Sequence, residues 1–485
     1  MGLISSIPEN NSIQAIILAA GRSTRFHTDR SKLLTPLCGR EIIAYVTQSL
    51  SHLHIPTTLI IGYQGNLVKE CVENYHGKDS FSFITQEKQN GTGHAVLCSQ
   101  QHWSEDHILV MNGDMPLVSE NVITDLCNTH IQKNATVSLV VAYHPENTGG
   151  YGRIVEHGNS IKIVEAKEFS GNTSDYPYIN AGIYLFKRTF LEQFIKKLHV
   201  NAISKELYIT DMIGIAAQHN ELICTTAAPI ETICGINTLK ELADAEQVKR
   251  TEIIERWMNN GVRFFMPDLV HIDANVQIGK NTVIEGPAYL KGNTIIGEHC
   301  QIKAFSSISD SIIHDMATIK SHSVIENAHV HSNATVGPFA HIHTNTTIGA
   351  HATIGNFIET KKVTFGSFSK AKHLSYLGDA IIGNHVNIGA GTITCNYDGK
   401  NKHTTTIKDN AFIGTNNALI APVTVGENAF TAAGSTIHND VPDNALAIAR
   451  ARQINKEEYA PTLKKETVAP TEMLKKDLLK KESNI

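Results

Sequence analysis

The sequence predicts an α/β domain joined by one long helix to a solenoid of stacked β-coils. Three observations predict it. Short apolar runs alternate with helical stretches through the first half, a charged helical stretch lies in the middle, and a six-residue period governs most of the second half. A chain of 485 residues also exceeds what one ordinary core organises, which suggests two or three domains.

From about Ile13 to Ile236 the pattern alternates. Ala15–Ala19, Thr58–Ile61 and Ile108–Met111 read as buried strands, with mixed-period segments such as Glu41–Leu50 between them. Short apolar strands separated by helices imply a largely parallel sheet covered on both faces. From about Thr238 to Asn259 the apolar Leu239, Leu242, Val248, Ile253 and Trp257 are spaced among acids and bases, as in one connecting helix. The pattern divides the chain into residues 1–237, a linker 238–260, a repeat region 261–456 and a tail 457–485.

In the repeat region Ile272, Ile278, Ile284, Leu290, Ile296, Ile302 and Ile308 are six apart. After a two-residue slip, Ile312, Thr318, Val324, Val330, Val336, Ile342, Ile348 and Ile354 resume the spacing. Ile382, Ile388 and Thr394 follow one interruption, and Ile413, Leu419, Val425, Thr431 and Ile437 follow another. A small residue usually stands two before, as at Ala288, Thr294, Cys300, Ala334 and Ala411, and glycine often stands one after. A period of six suits a parallel β-helix with three flat faces and about 18 residues per coil. Such coils bury their apolar faces only by stacking. The interruptions at 356–381 and 395–412 are expected to be external loops, where solenoids often bind ligands.

Composition narrows the function classes. A formal charge of −5 offers no basic field for nucleic acid. No apolar run is long enough for a bilayer, and no charged-then-apolar leader opens the sequence, so a membrane partner and export are not expected. Met1-Gly2 with Ser6 fits an acylation pattern only loosely. Eight scattered cysteines without a C-x-x-C pair favour a reducing cytoplasm over a disulfide or zinc framework. The tail, rich in Lys, Glu, Thr and Pro, reads as a solvated segment.

Chemistry is concentrated where strands end. Leu18-Ala19-Ala20-Gly21-Arg22-Ser23-Thr24-Arg25-Phe26 follows the first strand, and a glycine-containing loop there lets backbone N–H groups approach phosphates. Arg22, Arg25 and Lys32 add positive charge for a triphosphate, although the Walker pattern is absent. Asn112-Gly113-Asp114 closes another strand, where a carboxylate suits Mg²⁺ bound with phosphate oxygens. Gln86, with the backbone around Gly91 and Thr92, could read a base edge. The alternatives are a tight turn, an Asp-Met-Pro turn and a flexible glycine loop.

Together these segments resemble the sugar-1-phosphate nucleotidyltransferases, whose signature is LAAGxGTR followed by a distal lysine. Ser23 replaces the second glycine of that signature. NGTGHA, Gly150–Ile154, Ile163–Glu168 and the surroundings of Asn180 and Asn237 resemble the uridyltransferase branch. The resemblance implies that Lys32 and Arg25 hold nucleotide phosphates beside Leu18, Ala19, Gly21, Asn112 and Gly113. It implies uracil recognition by Gln86, Gly91 and Thr92, sugar binding by Gly152, Glu165 and Asn180, and Mg²⁺ ligation by Asp114 and Asn237. Asn112 stands where an aromatic is common.

The repeat region contains Asn356-Phe357-Ile358-Glu359-Thr360-Lys361-Lys362, His373-Leu374-Ser375-Tyr376-Leu377-Gly378-Asp379-Ala380 and Thr394-Cys395-Asn396-Tyr397-Asp398-Gly399. This combination extends the resemblance, from about Ile13 to Arg450, to the bifunctional N-acetylglucosamine-1-phosphate uridyltransferase/glucosamine-1-phosphate N-acetyltransferase family. That family implies a Rossmann-like domain with a mixed, mostly parallel sheet and a left-handed β-helix in a cytoplasmic homotrimer. Its substrates are UTP, glucosamine-1-phosphate, N-acetylglucosamine-1-phosphate and acetyl-CoA, and its product feeds peptidoglycan and lipopolysaccharide precursors. By the same resemblance His373 is the catalytic base, with Asn396 beside it. Lys361, Tyr376, Asn387, Asn396 and Tyr397 surround the sugar phosphate and acyl group. Ala390, Thr415, Ala433 and Arg450, with Asn396 and Tyr397, contact coenzyme A.

Two residues depart from the family pattern. His343 stands where an arginine grips substrate phosphate, and Lys372 stands where glycine is usual. A shorter, partly charged side chain at 343 predicts a raised KM for the aminosugar phosphate. His314, His329, His331 and His351 fall at turn positions and read as solvated. Two other functions share parts of this pattern. A hexose-1-phosphate nucleotidyltransferase with a regulatory β-helix is disfavoured by the intact His373 and Asn396-Tyr397 segments. A non-catalytic regulatory subunit is disfavoured by Lys32, Asp114 and Asn237.

Overall fold

The computed structural model describes residues 12–145, 150–157, 160–166, 168–169, 171–202 and 204–463. The Met1-Gly2…Ser6 pattern, Lys167 and the tail beyond 463 lie outside the described residues.

The apolar runs of the first half form a mixed sheet. Its strands are β1 (Ile13–Ala19), β2 (Thr57–Ile61), β3 (Ser82–Thr85), β4 (His107–Asn112), β5 (Val137–Tyr143), β6 (Arg153–His157), β7 (Ser160–Val164), β8 (Tyr178–Lys187) and β9 (Ile223–Ala227). The order is β9-β5-β8-β4-β1-β2-β3, with the β6–β7 hairpin attached to β8. Parallel pairing joins β4, β1, β2 and β3, whereas β8 runs antiparallel to both neighbours. Alternation along β1 explains the two cores. Ala15 and Ile17 face a cluster with α1 (Ile42–His52), α2 (Gly65–His76) and α4 (Glu120–Gln132), while Ile16 faces one that includes α3 (Thr92–Cys98). Burial on both faces accounts for the uninterrupted apolar runs.

The connecting helix spans Leu239–Asn259 and opens on a capping box between Thr238 and Glu241, which satisfies free N–H groups of its first turn. Ile253 and Ile254 enter the β-helix core, and Trp257 packs against it. Leu239 and Val248 remain exposed. Cys38 lies at the junction of the two domains, where its carbonyl accepts from Ala274 N at 2.8 Å. Burial, reinforced by Glu246, pushes its thiol up to about 12, so Cys38 should resist alkylation in the folded chain.

The repeat region forms a continuous parallel β-helix from Arg263 to Ala447, consistent with the left-handed class. Early coils advance 18 residues, as Val283 pairs with Gln301. Glycines stand where coils touch. A Cβ on Gly389 would lie 2.6 Å from the Gly414 carbonyl carbon, so the backbone approach itself requires glycine there.

The structure corrects the sequence reading in two places. The inward residues after Ile308 are Ile313, Ile319 and Ile325, not Ile312, Thr318 and Val324. Coils here advance 17 residues, as in Ile295 with Ile312 and Val324 with His341. Each strand begins with two β-branched residues, and a one-residue change reverses which faces inward. Ile313→Ala should therefore cost about 2–5 kcal/mol of stability. Ile312→Ala should cost far less, and equal shifts in urea denaturation would contradict this register.

The second correction concerns 356–381, which is not an external loop. Strands Thr353–Phe365 and Lys370–Ile382 lie within the β-helix and pair in parallel. Their inward positions are filled by Thr360, Phe365, Ala371 and Leu377. Polar and small residues at two of these positions hid the repeat. The segment after Thr394 does leave the solenoid, closing through a bridge between Tyr397 and Lys402 before Thr405 returns to the helix.

Candidate active sites

A cavity of about 380 Å³ opens at the carboxyl ends of β1 and β4, the usual place for a ligand in an open sheet of this kind. Leu18, Ala19, Gly21, Arg25 and Lys32 line one side. Gln86, Gly91, Thr92, Asn112 and Asp114 are among those lining the other side. A larger cavity, about 1060 Å³, lies against the connecting helix and shares none of these residues.

The polar floor of the smaller cavity is an interlocked cluster. Lys32 Nζ lies 2.5 Å from Asp114 Oδ2 and donates to Asn237 Oδ1 at 2.8 Å. Arg25 donates to the same Asn237 oxygen at 2.8 Å. Thus two cations, a carboxylate and an amide converge from three distant segments. Asp114 and Asn237 offer hard oxygen donors, which suit a divalent cation that keeps other positions for phosphate oxygens or water. Ser23 adopts a left-handed backbone conformation, φ 56°, which explains why glycine is favoured at this point of the loop.

The glycine loop is held from within and from afar. Gln86 is 3% exposed, and its amide nitrogen donates to Gly91 O at 3.2 Å. Gly91 has φ 102°, and a Cβ there would lie 2.4 Å from Leu207 O. Thr92 Oγ1 accepts from Ile209 N at 3.1 Å. Segment 206–209 therefore braces this loop and brings Glu206 into the cavity, a contribution that no local motif announces.

Gly152, Glu165 and Asn180 form a neighbouring group. Asn180 N donates to Gly152 O at 2.9 Å, and a Cβ on Gly152 would stand 3.8 Å from Glu165 Oε2. Asn180 Nδ2 lies 2.6 Å from Tyr184 Oη, and its Oδ1 accepts from Gly182 N at 3.2 Å. Gly113 is buried, and its N–H donates to Leu18 O at 3.0 Å, so it ties β4 to β1 rather than lining the cavity.

Burial raises the Glu165 carboxyl above its ordinary range, partly opposed by a hydrogen bond from Thr210 at 2.9 Å. A raised folded-state value means that the folded chain binds the proton more tightly than the unfolded chain. The resulting penalty is absent well below the ordinary glutamate value, grows as pH rises from that value to the higher folded one, and is complete above it. Glu165→Gln should therefore gain stability at neutral pH relative to the parent chain, with the gain vanishing in acid. A pH series of thermal denaturation checks both arms.

On the β-helix, parallel register aligns the second set of residues. Asn356 pairs with His373, Glu359 with Tyr376 and Lys361 with Gly378. His373 is exposed, while Lys361, Tyr376 and Asn387 are half-buried. Asn396 is buried, and its amide donates to Asp379 Oδ2 at 2.5 Å. Gly378 leaves room for this packing, since a Cβ there would lie 2.5 Å from Tyr376 Oη and 2.9 Å from Asn396 Nδ2. Asp379 was not singled out by sequence, because its link to Asn396 crosses between coils. Tyr397 lies out in solvent and donates to Gly399 O at 2.7 Å.

Ala390, Thr415 and Ala433 fall on successive coils. Asn416 N donates to Ala390 O at 2.7 Å, and Gly434 N to Thr415 O at 2.8 Å. Arg450 caps the column by donating to Ala433 O at 2.9 Å. His343 sits instead with Glu326 and Glu359, at 3.7 and 3.3 Å. His314 and His331 stack on each other with ring centroids 4.8 Å apart.

The fold and the two residue groups define a two-domain transferase, a nucleotidyltransferase sheet followed by a hexapeptide-repeat β-helix. Residues 15–162 match the MobA-like NTP transferase domain, and residues 326–357 match the bacterial transferase hexapeptide (six repeats). The "Bifunctional protein GlmU" of Geobacillus sp. (strain WCH70) is 42% identical over 455 residues, covering 93% of this chain and 98% of that protein. The proteins of the same name from Thermosipho melanesiensis and Thermotoga petrophila are 41% and 36% identical. These alignments cover 92% and 94% of this chain and 97% and 100% of those proteins. The chain belongs to this bifunctional family. It is an enzyme with uridyltransferase and acetyltransferase activities for UDP-N-acetylglucosamine synthesis, and its nucleotidyltransferase domain fits a divalent-metal requirement. Among the described residues no helix is long and apolar enough to cross a membrane.

Proposed function

We propose that the two groups of residues work as separate sites in one synthesis. Acetyl transfer from acetyl-CoA to glucosamine-1-phosphate takes place on the β-helix. Uridylyl transfer from UTP to N-acetylglucosamine-1-phosphate takes place in the α/β cavity. The observation that carries this reading is the Lys32, Arg25, Asp114 and Asn237 cluster at the cavity floor, in the same chain as the His373 ladder.

In the first reaction the sugar amine attacks the thioester carbonyl. The C–S bond breaks, His373 takes the proton that the amine loses, and that proton is passed on to the departing thiolate, so that coenzyme A leaves as its thiol. Tyr376, Asn387 and Lys361 hold the sugar phosphate, and Asn396 supports the acyl group. The Ala390–Thr415–Ala433 column and Arg450 grip coenzyme A, with Tyr397 at its edge. In the second reaction a phosphate oxygen of N-acetylglucosamine-1-phosphate attacks the α-phosphorus of UTP, and the bond to the β-phosphate breaks to release pyrophosphate. Lys32 and Arg25 neutralise and align the phosphates. Gln86, Gly91 and Thr92 meet uracil, while Gly152, Glu165 and Asn180 hold the sugar. Asp114 and Asn237 would hold Mg²⁺, which would supply charge neutralisation at the phosphates.

The proposal includes a cytoplasmic homotrimer, with coenzyme sites completed at subunit boundaries. Dissociation should then abolish acetyl transfer and spare uridylyl transfer, and equal loss of both in a monomeric variant would count against it. Nucleotide choice tests the cavity directly. Pyrophosphate should appear with UTP and N-acetylglucosamine-1-phosphate, and much less with ATP or GTP. Equal rates with a purine triphosphate would overturn uracil recognition. His343→Arg should lower the KM for glucosamine-1-phosphate in chelator-treated buffer, because a permanently charged fork grips phosphate better. An unchanged KM would remove residue 343 from phosphate binding.

A further inference from the structure

We propose that Glu326, His341 and His343 form a binding site for one divalent transition-metal ion of the zinc class. His341, in the strand His341–Ile342, and His343, just past its end, flank the inward-facing Ile342, so both project outward. Ile325 pairs with Ile342 across the coils, which places Glu326 alongside His343. Glu326 Oε2 lies 3.5 Å from His341 Nε2 and 3.7 Å from His343 Nδ1. One ligand atom from each of the three residues falls within 4.8 Å of the others. The imidazole centroids are 3.6 Å apart.

Apart from one long hydrogen bond, between His341 Nε2 and Glu326 Oε2 at 3.5 Å, these atoms converge at separations that small side-chain rotations would close around an ion. Zinc–nitrogen and zinc–oxygen bonds of about 2.0–2.2 Å need no more than that. Glu359 supplies the supporting contact. Its Oε1 lies 3.3 Å from His343 Nε2, the ring nitrogen turned away from Glu326. A carboxylate in that position holds a proton on Nε2 and leaves the Nδ1 lone pair for the ion, as outer-shell carboxylates do at histidine metal sites. Two imidazoles and one carboxylate favour zinc, cobalt or nickel over magnesium or calcium. Three protein ligands leave one coordination position open.

The site also has a chemical setting. His341 pairs with Glu359, and Glu359 with Tyr376, so the cluster shares an outward face with Tyr376 and Lys361. An ion there adds positive charge beside the residues proposed for the sugar phosphate, and its open position suits a phosphate oxygen. This consequence rests on the acetyltransferase assignment, whereas metal binding does not.

The test titrates the full, chelator-stripped chain with Zn²⁺ by calorimetry in excess Mg²⁺. One equivalent should bind, and the His341→Ala/His343→Ala variant should lose at least about tenfold in affinity. A His314→Ala/His331→Ala variant should bind as the parent chain does. Co²⁺ should give visible d–d bands in the parent that are absent from the first variant, with circular dichroism unchanged. No stoichiometric Zn²⁺ binding, or binding that survives the first double substitution, overturns the site. Zn²⁺ binding with an unchanged KM for glucosamine-1-phosphate overturns the phosphate role and leaves the metal site standing.

Discussion

Asp114→Asn is expected to lower uridylyl transfer by about 10²–10³-fold, the usual consequence of losing one fixed charge that organises an ionic transition state. The substitution keeps the side-chain shape and removes its charge. Lys32 then loses its carboxylate partner and is held only by the Asn237 oxygen, which Arg25 also uses. Lys32, which the carboxylate oriented, becomes freer to move, while Arg25 keeps its bond to Asn237. Thiol release from acetyl-CoA should stay at the parent rate, because none of these residues belongs to the β-helix. The measurement is the initial rate of pyrophosphate release beside the rate of thiol release. A parallel fall in both would show that Asp114 supports the fold rather than one reaction.

The second large effect is expected at His373. Replacing a positioned general base by alanine removes about 10²–10⁴-fold of rate. His373 is exposed and pairs in register with Asn356, so its side chain contributes little packing, and His373→Ala should leave the β-helix intact. Thiol release should fall while pyrophosphate release from UTP and N-acetylglucosamine-1-phosphate is unchanged. Retained thiol release would move the proton acceptor elsewhere on this face.

What could be read from the sequence follows from the range of the interactions. Strand ends and their loops are local, so Gly21, Lys32 and Asp114 could be placed at one cavity from spacing and strand order. Alternation along β1 and the six-residue period are also local, and both architectures were legible for that reason. Register was not legible where two β-branched residues stand side by side, as at Ile312-Ile313, because either one satisfies an apolar inner face. The long strands through 356–381 were hidden by Thr360 and Ala371 at inward positions. Glu206 and Asp379 were missed because each acts through a partner distant in sequence. Glu206 reaches the cavity on a segment braced against Gly91, and Asp379 bonds Asn396 in the next coil. The histidine–glutamate cluster depends likewise on coil stacking, which sets Glu326 next to His343.

On the proposed reading one chain carries two independent sites for consecutive steps. The most direct measurement supplies glucosamine-1-phosphate, acetyl-CoA, UTP and Mg²⁺ together and follows free thiol and pyrophosphate separately. Both should appear, His373→Ala should lose both from this mixture, and added N-acetylglucosamine-1-phosphate should restore pyrophosphate alone. Pyrophosphate released by the parent chain only when N-acetylglucosamine-1-phosphate is supplied, with no thiol, would contradict it and leave the β-helix catalytically silent.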